Sequence, residues 1–361
     1  MKKAQRAFLH GFVSIFVVAV TAMTALPATA QTPISVYSAW HCYADYCTWA
    51  SPESLATFDS QNHWMIDRNM NNTYSPSVNN VTFSFVQPLK LLNLTTDSGD
   101  TNGIPNGMDA TAISYFENRG VRVQFAIGGQ TYTTDWDTAL STNPTQLGIN
   151  AANAAKQYNV GMEIDYENSS SPNLSGLEAF VQAYRSILPY DPTGANLAAR
   201  LTIDLGAGDQ YLSLLAAYAT TNWLTTTNPV LDYASAMVAG THTGVSNLEK
   251  DWAEHIDGYP TLNVPPLAPA KLTGSLVLTG ANANCTNFSS SDQQAAASYV
   301  QNVAPAGAGT STGMLGYTFW AAGCPGTHST CTFPPNTCQG GIGVGATTFN
   351  IPVPMPALRQ E

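Results

Sequence analysis

The sequence predicts an α/β fold, a single (β/α)8 TIM barrel with a disulfide-held C-terminal segment, on three observations. Segments of strand and helix character alternate about eight times along the chain. That alternation implies parallel βαβ units, and eight of them close into a barrel. Residues 31–361 make a stretch of the length such a barrel occupies as one domain. In Gly161-Met162-Glu163-Ile164-Asp165-Tyr166-Glu167, the acids fall on one face of a strand and the apolar residues on the other.

Ahead of the barrel, Lys2, Lys3 and Arg6 precede an apolar run over residues 12–22, and the segment ends Ala28-Thr29-Ala30. This is the layout of a secretory signal peptide over residues 1–30, cleaved before Gln31, so the chain is expected outside the cytoplasm, extracellular or periplasmic. The run is too short for a comfortable membrane span.

The first strand is expected at 34–40, followed by a loop holding Cys42 and Cys47 and a helix opening at Ser51-Pro52-Glu53, with proline in its first turn. Residues 81–86 alternate as the second strand, 97–106 form a loop rich in Gly, Asp and Asn, and 108–118 read as an amphipathic helix stopped by Gly120. The third strand, 121–127, is closed by Gly128-Gly129, where the backbone can pass close to a substrate or a neighbouring strand. Gln130, Thr131, Tyr132 and Trp136 follow, either lining a groove or capping a helix at 147–158. The acidic fourth strand leads through a loop to a helix at 174–188. A fifth strand, 200–205, carries Asp204 and precedes a helix at 210–219. Strands are then expected at 230–238, 275–279 and 313–320, with a helix at 290–303. Residues 321–361, rich in Gly, Pro and Cys, read as a cover on the barrel.

The chain has 24 acidic and 13 basic residues, a net charge of −11, and three of the basic ones lie in the leader. So acidic a protein is a poor partner for nucleic acid or an anionic membrane surface. Only 10% of residues are charged, which leaves Asn, Ser, Thr and Gln to cover much of the surface. The six cysteines, Cys42, Cys47, Cys285, Cys324, Cys331 and Cys338, form an even set in an exported chain and read as disulfides. Cys42 with Cys47 is the local pair, and the other four admit three pairings. A zinc site would need a Cys-x-x-Cys or a nearby histidine pair, and neither is present. No metal and no cofactor is expected.

Glu163, Asp165 and Glu167 stand about 7 Å apart along one strand face. Carboxylates so placed repel, and at least one holds a proton near neutral pH. A protonated carboxyl beside an ionised one is what a general acid requires. The plain alternative is a solvated strand with an acidic face.

The same stretch resembles the Asp-Gly-x-Asp-x-Asp-x-Glu signature of family 18 glycoside hydrolases, the chitinases and endo-β-N-acetylglucosaminidases. The resemblance implies that Glu167 is the catalytic acid, that Asp165 orients the substrate acetamido group, and that Glu163 shares a proton with Asp165. Glu163 stands where the family has Asp, and Val160 where the signature opens with Asp. Gly128-Gly129 resembles the end of the family's third strand, Met237 its sixth-strand Met, and Trp320 the tryptophan flooring the cleavage subsite. The family's sixth-strand tyrosine is replaced by Ala239. The implied activity is retaining, substrate-assisted hydrolysis of β-1,4-linked N-acetylglucosamine glycans by a monomer. Two readings compete with it. One is a glycan-binding lectin on the same barrel, favoured by the changes at Val160, Glu163 and Ala239. The other is a two-carboxylate glycosidase pairing Glu167 with Asp204. Trp320 has a plain reading of its own, as a core residue.

Overall fold

A computed structural model describes residues 36–42, 49–67, 72–74, 76, 78–237, 245–277, 290–308 and 313–320. The leader, Cys47, Cys285, Cys324, Cys331, Cys338, Ala239 and the expected cover at 321–361 lie outside the described residues, as do the side chains of Cys42 and Trp320.

The chain runs β1 (Val36–Cys42), α1 (Leu55–Ile66), β2 (Asn80–Val86), α2 (Pro88–Asn93), a hairpin of β3 (Asp100–Thr101) and β4 (Ile104–Pro105), and α3 (Ala110–Glu117). It continues with β5 (Arg122–Gly128), α4 (Thr133–Thr142), α5 (Pro144–Tyr158), β6 (Gly161–Asp165), α6 (Leu174–Ile187), β7 (Leu201–Leu205) and α7 (Ser213–Asn222). The last elements are β8 (Ala234–Ala236), α8 (Val245–Asp257), β9 (Leu272–Val277), α9 (Ser290–Asn302) and β10 (Gly316–Trp320). Eight strands form a closed barrel in the order β1-β2-β5-β6-β7-β8-β9-β10, with β10 returning to β1. Every pairing in the barrel is parallel. This is the expected (β/α)8 barrel.

Short polar caps set the helix starts. Ser54 accepts the Thr57 N–H at α1, Asp109 accepts those of Thr111 and Ala112 at α3, and Asn173 accepts that of Gly176 at α6. Asn143 accepts the Gln146 N–H with Pro144 opening α5, and Asn159 closes that helix in a left-handed conformation, φ 57°.

Several elements differ from the sequence reading, among them α2, which it did not contain. Residues 97–106 contain the β3–β4 hairpin. The helix expected at 147–158 begins at Pro144, and α4 precedes it. Its Thr- and Asp-rich turns hide a single apolar stripe of Trp136, Ala139 and Leu140. Helix α8 occupies a segment with no helix in the sequence reading. Strand β8 is only three residues long, because Asp232 is held outside it, accepting from the Leu201 N–H at 2.9 Å and from Arg185 at 3.1 Å.

The barrel is apolar outside and polar inside. On β6, Met162 and Ile164 are fully buried in the apolar core, while Glu163 and Asp165 face inward. Their interior neighbours are hydroxyls and amides. Asn80 donates to Ser38 at 2.9 Å, Gln124 to Thr202 at 3.0 Å, and Tyr233 to Gln124 at 3.1 Å, and Thr273 meets Thr318 at 3.2 Å. Buried polar groups paired in this way satisfy one another's hydrogen bonds and leave a polar well beneath the strand ends. No helix among the described residues is long and apolar enough to cross a membrane.

Candidate active site

Glu163 sits lowest of the three acids, 1% exposed. Register places it between Ala126 of β5 and Thr202 of β7. Ser235 donates to its Oε1 at 3.1 Å, and the hydroxyls of Thr82 and Thr202 also reach the carboxyl. Burial pushes its pKa up to about 7, against the pull of those donors. Its Oε2 has no hydrogen-bond partner among the described residues.

Asp165 is one step higher, opposite Gly128, and 2% exposed. Burial holds its pKa well above the ordinary carboxyl range, and the charges of Glu167 and Glu163 add to this. Asp165 and Glu167 hydrogen-bond through their side chains. Asp165 thus feels both Glu167 and Glu163, and Ser235 holds the Glu163 carboxyl from the side of β8. Asp204 of β7 is also buried and pushed well up, by desolvation first and then by Glu163, Asp165 and Glu167. The interior thus holds four carboxyls, and only Glu167, half-buried beyond the C-terminal end of β6, reaches toward solvent. Its pKa is also raised by burial, but the Tyr211 hydroxyl, the Gln130 backbone N–H and Asp165 all favour its charge. Three buried carboxyls beneath a half-exposed one can keep protons in store while the upper group exchanges one with a ligand.

Two glycines and a tryptophan make room for this. Gly128 has φ +118°, and a Cβ there would meet the Asp165 carbonyl at 2.0 Å and Trp136 Nε1 at 2.2 Å. Gly129 has φ +90°, and its Cβ would meet the Phe85 ring at 2.9 Å. Both positions need glycine for conformation and for space. The fully buried Trp136 therefore lines no groove. It ties the strand ends together by donating to the carbonyls of Ile127 at 3.1 Å and Asp165 at 3.0 Å. Asp137, next on α4, accepts from Tyr166 and from Asn168 at 2.9 Å, and Tyr166 accepts the Asn173 N–H at 2.8 Å. Glu167 lies between two residues anchored on one α4 carboxylate.

Tyr211 has no counterpart among the sequence expectations. It stands in the β7–α7 loop, 38% exposed, and donates to Glu167 Oε2 at 3.2 Å. A loop tyrosine carries no periodic signal, so only folding reveals this contact. Tyr132 packs edge-on against Phe85, ring centroids 6.4 Å apart, and accepts a long 3.5 Å bond from Gln87. Met237 follows β8, half-buried, its N–H on the Leu205 carbonyl at 2.9 Å. The backbone of Trp320 ends β10 beside Val277. Trp252 of α8 is buried against Gly274 on β9. Among the described residues, no group of three or more His, Cys, Asp and Glu could hold a metal ion.

No protein-family model and no curated protein matches the sequence. Solved structures of similar fold do match. A GH18 chitinase from Pseudoalteromonas aurantia is 13% identical, with 67% of this chain and 86% of that one covered at a TM-score of 0.46. A GH18 chitinase from Cycas revoluta in complex with allosamidin is 14% identical, with 68% and 69% covered at 0.41. The Bacillus cereus spore cortex-lytic enzyme SleL is 12% identical at 0.42, and the match covers 68% of this chain and 51% of that enzyme. At these similarities, the role of each residue here rests on the geometry of this chain.

Proposed function

We propose that the chain is an exported glycoside hydrolase of β-1,4-linked N-acetylglucosamine glycans, with Glu167 as general acid. One observation carries this reading. A half-buried carboxyl whose pKa is raised by burial stands just past a barrel strand, two residues beyond a buried carboxyl that burial pushes well above the ordinary range. The C-terminal ends of barrel strands are where this fold does its chemistry.

In the proposed reaction, Glu167 protonates the glycosidic oxygen as the bond to the anomeric carbon breaks. The substrate's acetamide oxygen attacks that carbon and forms an oxazolinium. Asp165 holds the acetamide N–H, and its hydrogen bond to Glu167 gives way to that contact when sugar binds. Water, deprotonated by Glu167, then opens the oxazolinium with net retention. Burial and the neighbouring carboxyls push the Asp204 pKa up, which disfavours the ionised form a nucleophile requires and weighs against a two-carboxylate mechanism. The half-exposed acid opposes the lectin reading, because binding alone has no use for a raised proton affinity at the mouth.

The test offers matched oligomers of glucose, glucosamine and N-acetylglucosamine to the mature protein, with reducing ends and binding both measured. Cleavage confined to the acetylated oligomer is expected. Cleavage of the glucose oligomer would overturn substrate assistance, and tight binding without cleavage would make the protein a lectin. Export is tested alongside by N-terminal sequencing, expected to begin at Gln31, and by intact mass, expected to show six paired cysteines.

A further inference from the structure

We infer that Tyr211 is a positioning residue for Glu167, held over the acid by a loop that α8 clamps through Glu254 and His255. The inference rests on the reading of Glu167 as the general acid, and it adds a residue from the fifth strand's loop that no sequence motif marks.

The observations run from α8 inward. Glu254 accepts the Asp209 N–H at 3.0 Å with Oε2 and the Gln210 side-chain amide at 3.0 Å with Oε1. His255, 1% exposed, places Nδ1 2.6 Å from the Asp209 carboxylate and Nε2 2.7 Å from the Gly206 carbonyl. Both of those neighbours only accept hydrogen bonds, so the imidazole serves both by carrying a proton on each nitrogen. Its pKa shift agrees. Burial alone would lower it, but the Asp209 contact and the Gly206 carbonyl prevail and raise it. Three residues of one loop, Gly206, Asp209 and Gln210, are thus fixed to one helix just ahead of Tyr211. Gly206 leaves no space for a side chain, since its Cβ would fall 2.6 Å from the Gly208 carbonyl. The loop delivers the Tyr211 hydroxyl to Glu167 Oε2, and the Gln130 side chain, from the turn after Gly129, bonds the same hydroxyl. A tyrosine that accepts from Gln130 directs its own proton at the carboxylate.

The consequence is chemical. The groups facing Glu167 are Asp165 and Glu163 of β6, Asp204 of β7, the Gln130 backbone N–H and Tyr211. Burial raises its proton affinity, and the Tyr211 hydroxyl, the Gln130 backbone N–H and the Asp165 carboxyl lower it. Of the hydroxyl and the backbone N–H, the Tyr211 hydroxyl is the one that a side-chain substitution can remove. It keeps the acid from holding its proton too tightly to release it to the leaving oxygen.

The experiment compares the mature wild type with Tyr211→Phe by two readouts. One is the pH profile of kcat/KM on an N-acetylglucosamine oligomer. The other is a carboxyl-carbon NMR titration of Glu167, which needs no turnover. One donor to a carboxylate shifts its pKa by about 0.5–1 unit. The alkaline limb and the Glu167 titration are both expected to move up by that amount in Tyr211→Phe, with the melting temperature unchanged. Glu254→Ala, which loosens the loop without touching the site, is expected to move both in the same direction by less. Unshifted titration in Tyr211→Phe would overturn the inference. Should the wild type cleave none of the sugars, the activity reading falls, and the NMR titration still decides the role of Tyr211.

Discussion

The indole N–H of Trp136 meets the backbone carbonyls of Ile127 and Asp165 at 3.1 and 3.0 Å, bridging the last turns of β5 and β6. The bond holds Asp165 from behind, at the backbone, while its side chain faces the barrel. Helix α4 thereby fixes the height at which Asp165 and Glu167 emerge.

Trp136→Phe keeps the ring packed against Tyr166 and Phe180 and removes the donor. Two buried carbonyls then lose a partner, a loss of about 1–3 kcal/mol. Chemical denaturation is expected to show that decrease with an unchanged slope. A variant within about 0.5 kcal/mol of wild type would mean that neither bond contributes.

Glu167→Gln keeps the shape of the side chain and its contact with Tyr211 and loses the transferable proton. Turnover is expected to fall by about 10²–10⁴-fold, while affinity for an N-acetylglucosamine oligomer and the melting temperature stay near wild type. Half-burial at the strand end makes a folding defect an unexpected outcome. Wild-type turnover would remove Glu167 from the mechanism.

Asp204→Asn isolates the cost of the buried acids. In the folded state the Asp204 carboxyl titrates well above its ordinary value, through burial and then through Glu163, Asp165 and Glu167. Its folded pKa exceeds the unfolded value of about 3.9. Its contribution to stability is therefore whole below about pH 4 and is lost as pH rises toward the folded pKa, because only the unfolded chain ionises freely. Asparagine has no such loss. The variant is expected to match wild type near pH 3 and to gain on it with rising pH, by up to about 1.4 kcal/mol per unit. His255, whose raised pKa also makes stability decline as pH rises, is present in both proteins and cancels in the comparison. Parallel stability profiles for the two proteins would show that Asp204 is not held neutral.

The legible part of the site was the part written in one strand. Glu163, Asp165 and Glu167 alternate with Met162, Ile164 and Tyr166, and a period of two is enough to separate an inward from an outward face. Gly128-Gly129 was legible as a close approach but not in its partner, which proves to be the Asp165 carbonyl and the Trp136 ring. Trp136 illustrates the opposite case. After a strand end, it reads equally well as groove lining or as a helix cap, and its burial decided against the groove.

By itself, the sequence determined the order of the eight barrel strands and the two-faced acidic strand, because each is a local pattern of a few neighbouring residues. Tertiary structure alone decided that Asp165 bonds Glu167 while Glu163 rests on Ser235, Thr82 and Thr202, and that Tyr211 stands over the acid. The contacts of Tyr211 with Glu167, Ser235 with Glu163 and Glu254 with Asp209 each join residues more than 40 positions apart. They exist only once the barrel closes, and closure is set by strand register around the whole ring, which no local spacing encodes.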